Sequence, residues 1–199
     1  MKSSIRRQFR VYRYVFYRET LIDPREHFWS FVGAFMGIFV IAYLQSLSFP
    51  SLENVFLIGS FGASAVLVYG AIQSPLAQPR NLIGGHVVSA IVGVTVGQFL
   101  PDIIWLTAPT AVALSIVAMQ ITRCLHPPGG AIALIAVIGG TKVESLGYWY
   151  VLSPVLSGAL ILFIVALIFN NITKNRHYPI RSSRLRRSRR QQIERRRRA

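Results

Sequence analysis

The charged residues of this chain are confined to its two ends, and that segregation limits the possible folds more than any other feature. Between residues 28 and 170 the only basic residues are Arg80, Arg123 and Lys142, and the only acidic ones are Glu53, Asp102 and Glu144. The stretches 28–52, 54–79, 81–101, 103–122, 124–141 and 145–173 carry no Asp, Glu, Lys or Arg over 25, 26, 21, 20, 18 and 29 residues. A helix gains about 1.5 Å per residue and has about 30 Å of hydrocarbon to cross, so about 20 apolar residues suffice. Five stretches reach that length and the sixth falls just short. The expected fold is all-α: a polytopic transmembrane bundle of about six membrane elements, near 28–47, 54–72, 81–100, 103–122, 124–141 and 147–170. A barrel is excluded, because the apolar runs are continuous whereas barrel strands alternate over segments of about ten residues. With only 15% charged residues, an ordinary soluble domain is excluded too. The single cysteine, Cys124, excludes a disulfide-built scaffold.

Three segments follow: a basic arm (1–27), a membrane domain (28–170) and an Arg-rich tail (171–199) read as disordered. Of the 22 Lys and Arg, seven lie in the arm and twelve in the tail. Basic flanks stay cytoplasmic, so both termini are expected on the cytoplasmic side of a cell (inner) membrane, with an even number of crossings. Six crossings put Arg80 and Arg123 inside and Glu53 and Asp102 outside. Four crossings with two re-entrant segments would turn Arg80 and Arg123 outward, and the six-crossing map is preferred. No cleaved signal peptide is read in the arm. There Ile5, Phe9, Tyr12 and Phe16 recur at spacings of four, three and four, which fits either a short helix in the headgroup region or a partly ordered tail with aromatic anchors. The expected partner of both ends is anionic lipid, at about 1 kcal/mol per basic residue near the surface. Nucleic acid is not expected, since no nucleic-acid-binding fold accompanies the arginines. Gly33, Gly37, Gly93 and Gly97 form two small-xxx-small pairs read as helix-packing faces. Oligomeric state, including a homo-oligomer, stays open.

The chemistry-bearing signal is residues 123–131, Arg-Cys-Leu-His-Pro-Pro-Gly-Gly-Ala. Two prolines cannot continue a helix from Leu125, but they suit the first turn of a new one. The chain is expected to enter extended and become helical near Pro128, with Gly129 and Gly130 opening that half-helix. Such a break leaves N–H groups at a positive dipole end, which favours anions and is tolerated in lipid only against protein or a wet cavity. His126 and Arg123 lie on the same approach. The competing reading is a tight inter-helix turn. A lone His makes a poor metal site, and no cofactor is expected.

His126-Pro127-Pro128-Gly129-Gly130-Ala131 resembles the signature of the HPP family of integral membrane proteins. The resemblance extends to Ser60-Phe61-Gly62-Ala63-Ser64-Ala65, to Ser74-Pro75-Leu76-Ala77-Gln78-Pro79-Arg80-Asn81, and to Gly84-Gly85-His86 with Ser89. It covers about residues 28–170. The family is described as small multi-pass proteins with four confidently placed spans, and plant plastid members are linked to nitrite transport. Ser60, Gly62, Ser64, Arg80, Asn81 and His86 then join His126, Pro127, Pro128, Gly129, Gly130 and Arg123 as a candidate substrate site. A shift of 68 residues aligns Gly62-Ala63 with Gly130-Ala131, and Leu57, Ala65, Val87 and Ser89 with Leu125, Ala133, Val155 and Ser157. This suggests a 3+3 inverted repeat whose two broken elements bring helix N-termini together near the midplane, an arrangement used by transporters.

The expected function is a transporter or channel for a small anion, nitrite leading by resemblance. The alternative is a non-transporting membrane module, a sensor subunit or scaffold, acting through its basic tails. An enzyme is not expected: there is no HExxH, GxSxG, paired carboxylate or nucleotide loop. An unperturbed imidazole titrates near neutrality, so His126 or His86 could carry a coupled proton.

Overall fold

The computed structural model describes residues 24–47, 59–173 and 176–180. The amphipathic reading of the arm and the Arg-rich run from residue 181 lie outside the described residues. What is described is helical and contains no strand. The helices are α1 (Pro24–Ser46), α2 (Gly59–Gly70), α3 (Pro79–Phe99), α4 (Ile104–Ile121), α5 (Pro127–Ile138), α6 (Thr141–Leu146) and α7 (Val151–Phe169).

Prolines set where three of these helices start. Pro24, Pro79 and the pair Pro127-Pro128 occupy first turns, where a missing N–H costs nothing. α1, α3, α4 and α7 are long and apolar enough to cross a bilayer, whereas α2 and α5 are not. At 12 residues, α5 covers about 18 Å, roughly half the hydrocarbon thickness.

Hydrogen bonds fix which helix ends share a face. Ser30 near the start of α1 donates to Tyr69 O at the end of α2. Arg80 at the start of α3 donates to Thr122 O just past α4. Asn170, just past α7, donates to Val68 O. These ends form the first face. On the second face Thr95, near the end of α3, bonds Tyr148 ahead of α7. Tyr150 reaches Ile132 O of α5.

The two short helices meet head to head between the faces: Ser60 in the first turn of α2 donates to Pro128 O in the first turn of α5 at 3.0 Å. α2 runs from there to the first face, and α5 runs beside α3 toward the second. Among the described residues the bundle is therefore traversed by four full helices and two half-helices. α1 begins and α7 ends on the same face, as the six-crossing map requires. The 68-residue shift relates α2 to α5 at both ends, Gly59 to Pro127 and Gly70 to Ile138. Because the two run in opposite directions, the halves are inverted.

Packing explains the apolar excess. α1 buries one stripe spaced by four, Gly33, Gly37, Ile41 and Gln45. It turns Phe31, Phe35, Phe39 and Tyr43, each more than half exposed, outward in a stacked aromatic ladder. A surface this apolar is stable only against lipid. Gly33 and Gly37 lie under the Tyr69 side chain, and Gly93 lies against the Ala133 backbone, so three of the four small-residue positions are close-packed. Gly97 is in ordinary contact with Ala136 O.

The folded region extends beyond the boundary drawn from sequence. The charge pattern places residues 171–180 in the tail, yet Arg176 and Tyr178 are 1% and 2% exposed. Arg176 donates to Glu26 O and Ser30 Oγ of α1, Tyr69 O of α2 and Asn170 Oδ1 after α7. The Tyr69 carbonyl is at the C-terminal, negative end of α2, where a cation is stabilised. Burial lowers the guanidinium pKa, and the Glu26 carboxylate, 4.0 Å away, raises it again. Arg176 stays charged, since arginine does not lose its proton in proteins. The Tyr178 hydroxyl donates to Ala77 O, and burial pushes its pKa up, so it remains a neutral donor.

Candidate functional site

The meeting point of the half-helices is built around one serine. Ser64 sits one turn into α2 and is fully buried. Its Oγ lies 3.2 Å from His86 Nε2 and 3.1 Å from His126 Nε2, and it bonds Ser60 O at 3.2 Å. Both imidazoles are 0% exposed, with ring centroids 4.8 Å apart and planes at 43°.

Each histidine is placed by its local chain. His86 is two turns into α3, and its Nδ1 faces Leu82 O, one turn back, at 2.7 Å. His126 is the extended residue before α5, with φ −140 and ψ 108, because the following proline bars it from helical geometry. Its Nδ1 faces Leu76 O at 3.0 Å. Phe61 stacks on His86 with centroids 5.3 Å apart, and its ring occupies the space where a Cβ at Gly158 of α7 would lie. The approach segment 122–126 is held by side chains on α3: Arg80 donates to Thr122 O and Asn81 to Leu125 O.

Two glycines make the close approach possible. A Cβ at Gly85 would collide with the His126 side chain. One at Gly129 would sit 2.9 Å from Met119 Sδ and Ser89 Oγ and 3.0 Å from Gly85 O. Ser89 donates back to Gly85 O and His86 O, which satisfies its hydroxyl inside the packed wall.

The structure thus brings together Ser60, Ser64, His86, His126, Pro128 and Gly129. It keeps others apart. Arg80 and Arg123 are exposed at the first face, and Arg80 is occupied with Thr122 O. Arg123 takes a left-handed conformation, φ 57, at the turn after α4. Pro127 is exposed, Gly130 makes only ordinary contact with Val112, and a Cβ at Gly62 would meet nothing within 4 Å. Asn81 supports the site by holding the chain that carries His126.

The expectation of a row of bare amides at the start of α5 needs correction. Pro127 and Pro128 fill its first two positions and have no N–H, and Gly129 donates its own to His126 O at 2.8 Å. The prolines that break the membrane element also remove the donors that the break would have freed. The polar groups presented at the junction are side chains, two imidazoles and two hydroxyls. Sequence reasoning passed over Phe61, whose only signal is its place between Ser60 and Ser64. Arg176 was hidden within a run of tail arginines, with the nearby Tyr178-Pro179 as the one hint of order.

A cavity of about 240 Å³ lies between α1 and α7, lined by Ile41, Leu44, Gln45, Ser153, Ser157 and Gly158. Gln45 Oε1 is buried there without a hydrogen-bond partner. Gly158 touches Phe61 and Phe61 covers His86, so one aromatic ring separates this cavity from the histidines. A second cavity, about 210 Å³, opens at the other side of the second face beside Gln98, Asp102, Thr107 and Glu144.

The comparisons with known proteins point to one family. The profile described as HPP, transmembrane region, matches residues 19–179. Two proteins of Dictyostelium discoideum, each described as a transmembrane protein, are 45% and 43% identical over 164 and 166 residues. Those alignments cover 79% and 82% of this chain but 51% and 58% of the relatives, so the chain spans little more than half the length of the relatives it matches. No solved structure matches it. The matched region ends at residue 179, close to where Tyr178 closes the fold.

Proposed function

Since the chain belongs to the HPP family of integral membrane proteins, we propose that it moves a small inorganic anion across the bilayer through the junction of its two half-helices. One observation carries the reading. Two half-helices of inverted direction meet at a buried polar cluster partway across the bundle, joined by the Ser60–Pro128 bond. Buried polar groups at membrane depth are costly and mark pathways. The positive ends of both half-helices favour negative charge there. Ser64, His86 and His126 supply directional groups, and the cavity beside Gln45 and Ser157 supplies an approach from the second face. The described conformation is occluded, since both imidazoles are fully buried. Nitrite is the candidate that the family resemblance implies. The basic ends would then hold the membrane surface and set orientation, with both termini cytoplasmic.

The test is anion uptake into proteoliposomes, with nitrite, nitrate, formate and chloride compared. His126→Ala is expected to lower nitrite uptake about ten-fold or more, equivalent to about 1.4 kcal/mol of lost barrier lowering. Arg123→Gln is expected to leave uptake unchanged, because that side chain is outside the cluster. Wild-type uptake by His126→Ala at equal membrane abundance would sink the reading.

A further inference from the structure

The hydrogen count at the centre of the bundle does not close. His86 Nδ1 faces Leu82 O and His126 Nδ1 faces Leu76 O. A carbonyl has no proton to give, so both Nδ1 atoms are N–H donors, and in neutral imidazole each Nε2 is then an acceptor. Both Nε2 atoms lie on the Ser64 hydroxyl, which also has Ser60 O within reach. The helix ladder already serves Ser60 O, so the one hydrogen of that hydroxyl faces two Nε2 acceptors. Unsatisfied buried acceptors are costly, and native interiors leave few of them. A single added proton repairs the count. An N–H bond forms at one Nε2, which then donates to Ser64 Oγ, and Ser64 donates to the other Nε2.

We propose that His86, Ser64 and His126 form a binding site for one proton, shared by the two imidazoles through the Ser64 hydroxyl and filled together with the transported anion. The coupling follows from charge. An imidazolium alone would sit fully buried between two positive helix ends, without a counter-charge. The groups packed around it supply none. On α2 it meets Ser60 and Phe61; on α3, Gly85 and Ser89. On α4 and α5, Met119 and Gly129 pack beside Ser89 and Gly85, and Pro128 O takes the Ser60 hydroxyl. Cys124, on the approach segment, packs against Gly84 and Thr122. The hydroxyls of Tyr69, Tyr150 and Tyr178 each donate to a backbone carbonyl. The cations Arg80 and Arg176 are bound to carbonyls at the first face. An anion alone would be stripped of water with only the helix dipoles in compensation, since the prolines leave no row of bare amides at the start of α5. Proton and anion together enter as a neutral pair. The proton comes from water on one side and returns to water on the other, and no electron changes hands.

This coupling rests on the anion-transport reading, whereas the shared-proton site stands on the hydrogen-bond geometry alone. The experiment uses the full chain in liposomes containing a pH-sensitive dye, with nitrite as the probe and protein-free liposomes for the leak of undissociated acid. The expected result is acidification of the lumen in step with uptake, one proton per nitrite, at a rate insensitive to an imposed membrane potential. Ser64→Ala is expected to abolish the coupled acidification and Ser64→Thr to restore it, a pattern that a purely structural role would not give. Uptake that follows the potential without acidification would overturn the proposal and leave transport standing. If no nitrite enters, the transport reading and the coupling fail together, and the shared-proton site is decided separately by nitrogen-15 spectra of labelled histidine in the same liposomes, titrated with nitrite, nitrate, formate or chloride as the counter-charge. One proton gained by the pair on acidification while the fold persists, and lost in Ser64→Ala, supports it. Two imidazoles unprotonated at Nε2 throughout would overturn it.

Discussion

At Gly85 a single hydrogen atom in place of a side chain is what lets His126 reach Ser64. The His126 side chain occupies the space a Cβ would need, and the Cys124 carbonyl closes the same space from the other direction, 2.9 Å away. Neither neighbour is the free end of a flexible chain. Gly85→Ala is therefore expected to lower stability by about 1–3 kcal/mol, the usual cost of overpacking a tight core. Thermal unfolding in detergent would read this, with Gly62→Ala as the control expected to change little, since its surroundings are open. At this scale the sequence was informative about type and less so about position. His126 and the prolines declared a break, because proline's missing N–H and fixed φ act locally. Arg80 and Arg123 looked equally promising, and they are exposed at the first face, because a charge's depth depends on which partners the fold brings to it.

The elements are tied at the first face by one buried cation. Arg176 bonds α1 through Glu26 O and Ser30, α2 through Tyr69 O, and the end of α7 through Asn170. Removing it leaves the Asn170 carboxamide oxygen buried without its donor, at about 1–3 kcal/mol for a group that water cannot reach, and strips the charged donor from the Tyr69 carbonyl, which keeps only Ser30. Arg176→Gln is expected to lower the melting temperature in detergent clearly. Arg176→Lys is expected to recover little, because an ammonium cannot reproduce the planar fork that serves four acceptors. Melting of Arg176→Lys at the wild-type temperature would refute this account. Element existence was readable from the charge-free stretches, since hydrocarbon thickness dictates length. The true end of the fold was not, because a run of arginines obscured one that packs inward.

For the whole molecule, the six-traverse path makes a prediction about sidedness. The starts of α1 and α3 and the ends of α2, α4 and α7 share one face, while Glu144 in α6 belongs to the other. Single cysteines at Arg123 and His177, in a chain with Cys124 replaced by serine, are expected to label from the same side of sealed vesicles. A cysteine at Glu144 is expected to label only from the opposite side. Labelling of Arg123→Cys and His177→Cys from opposite sides would break the topology. Six sequence identities at a 68-residue offset were too few to establish the repeat, since apolar composition produces such matches by itself. The offset recurs at both ends of α2 and α5 because the constraint falls on length and direction more than on residue identity.

Ser60 and Pro128 are themselves 68 positions apart, so their bond joins a residue to its own counterpart in the other half. In an assembly of two identical subunits every contact away from the dyad occurs twice, and a contact on the dyad must pair a residue with itself. Between two equal partners a hydroxyl giving its hydrogen to a carbonyl would be matched by its reciprocal bond, whereas here only Ser60 gives. The two halves of this chain are therefore not equivalent at their junction: one is the giver and the other, with prolines in place of amides, the taker.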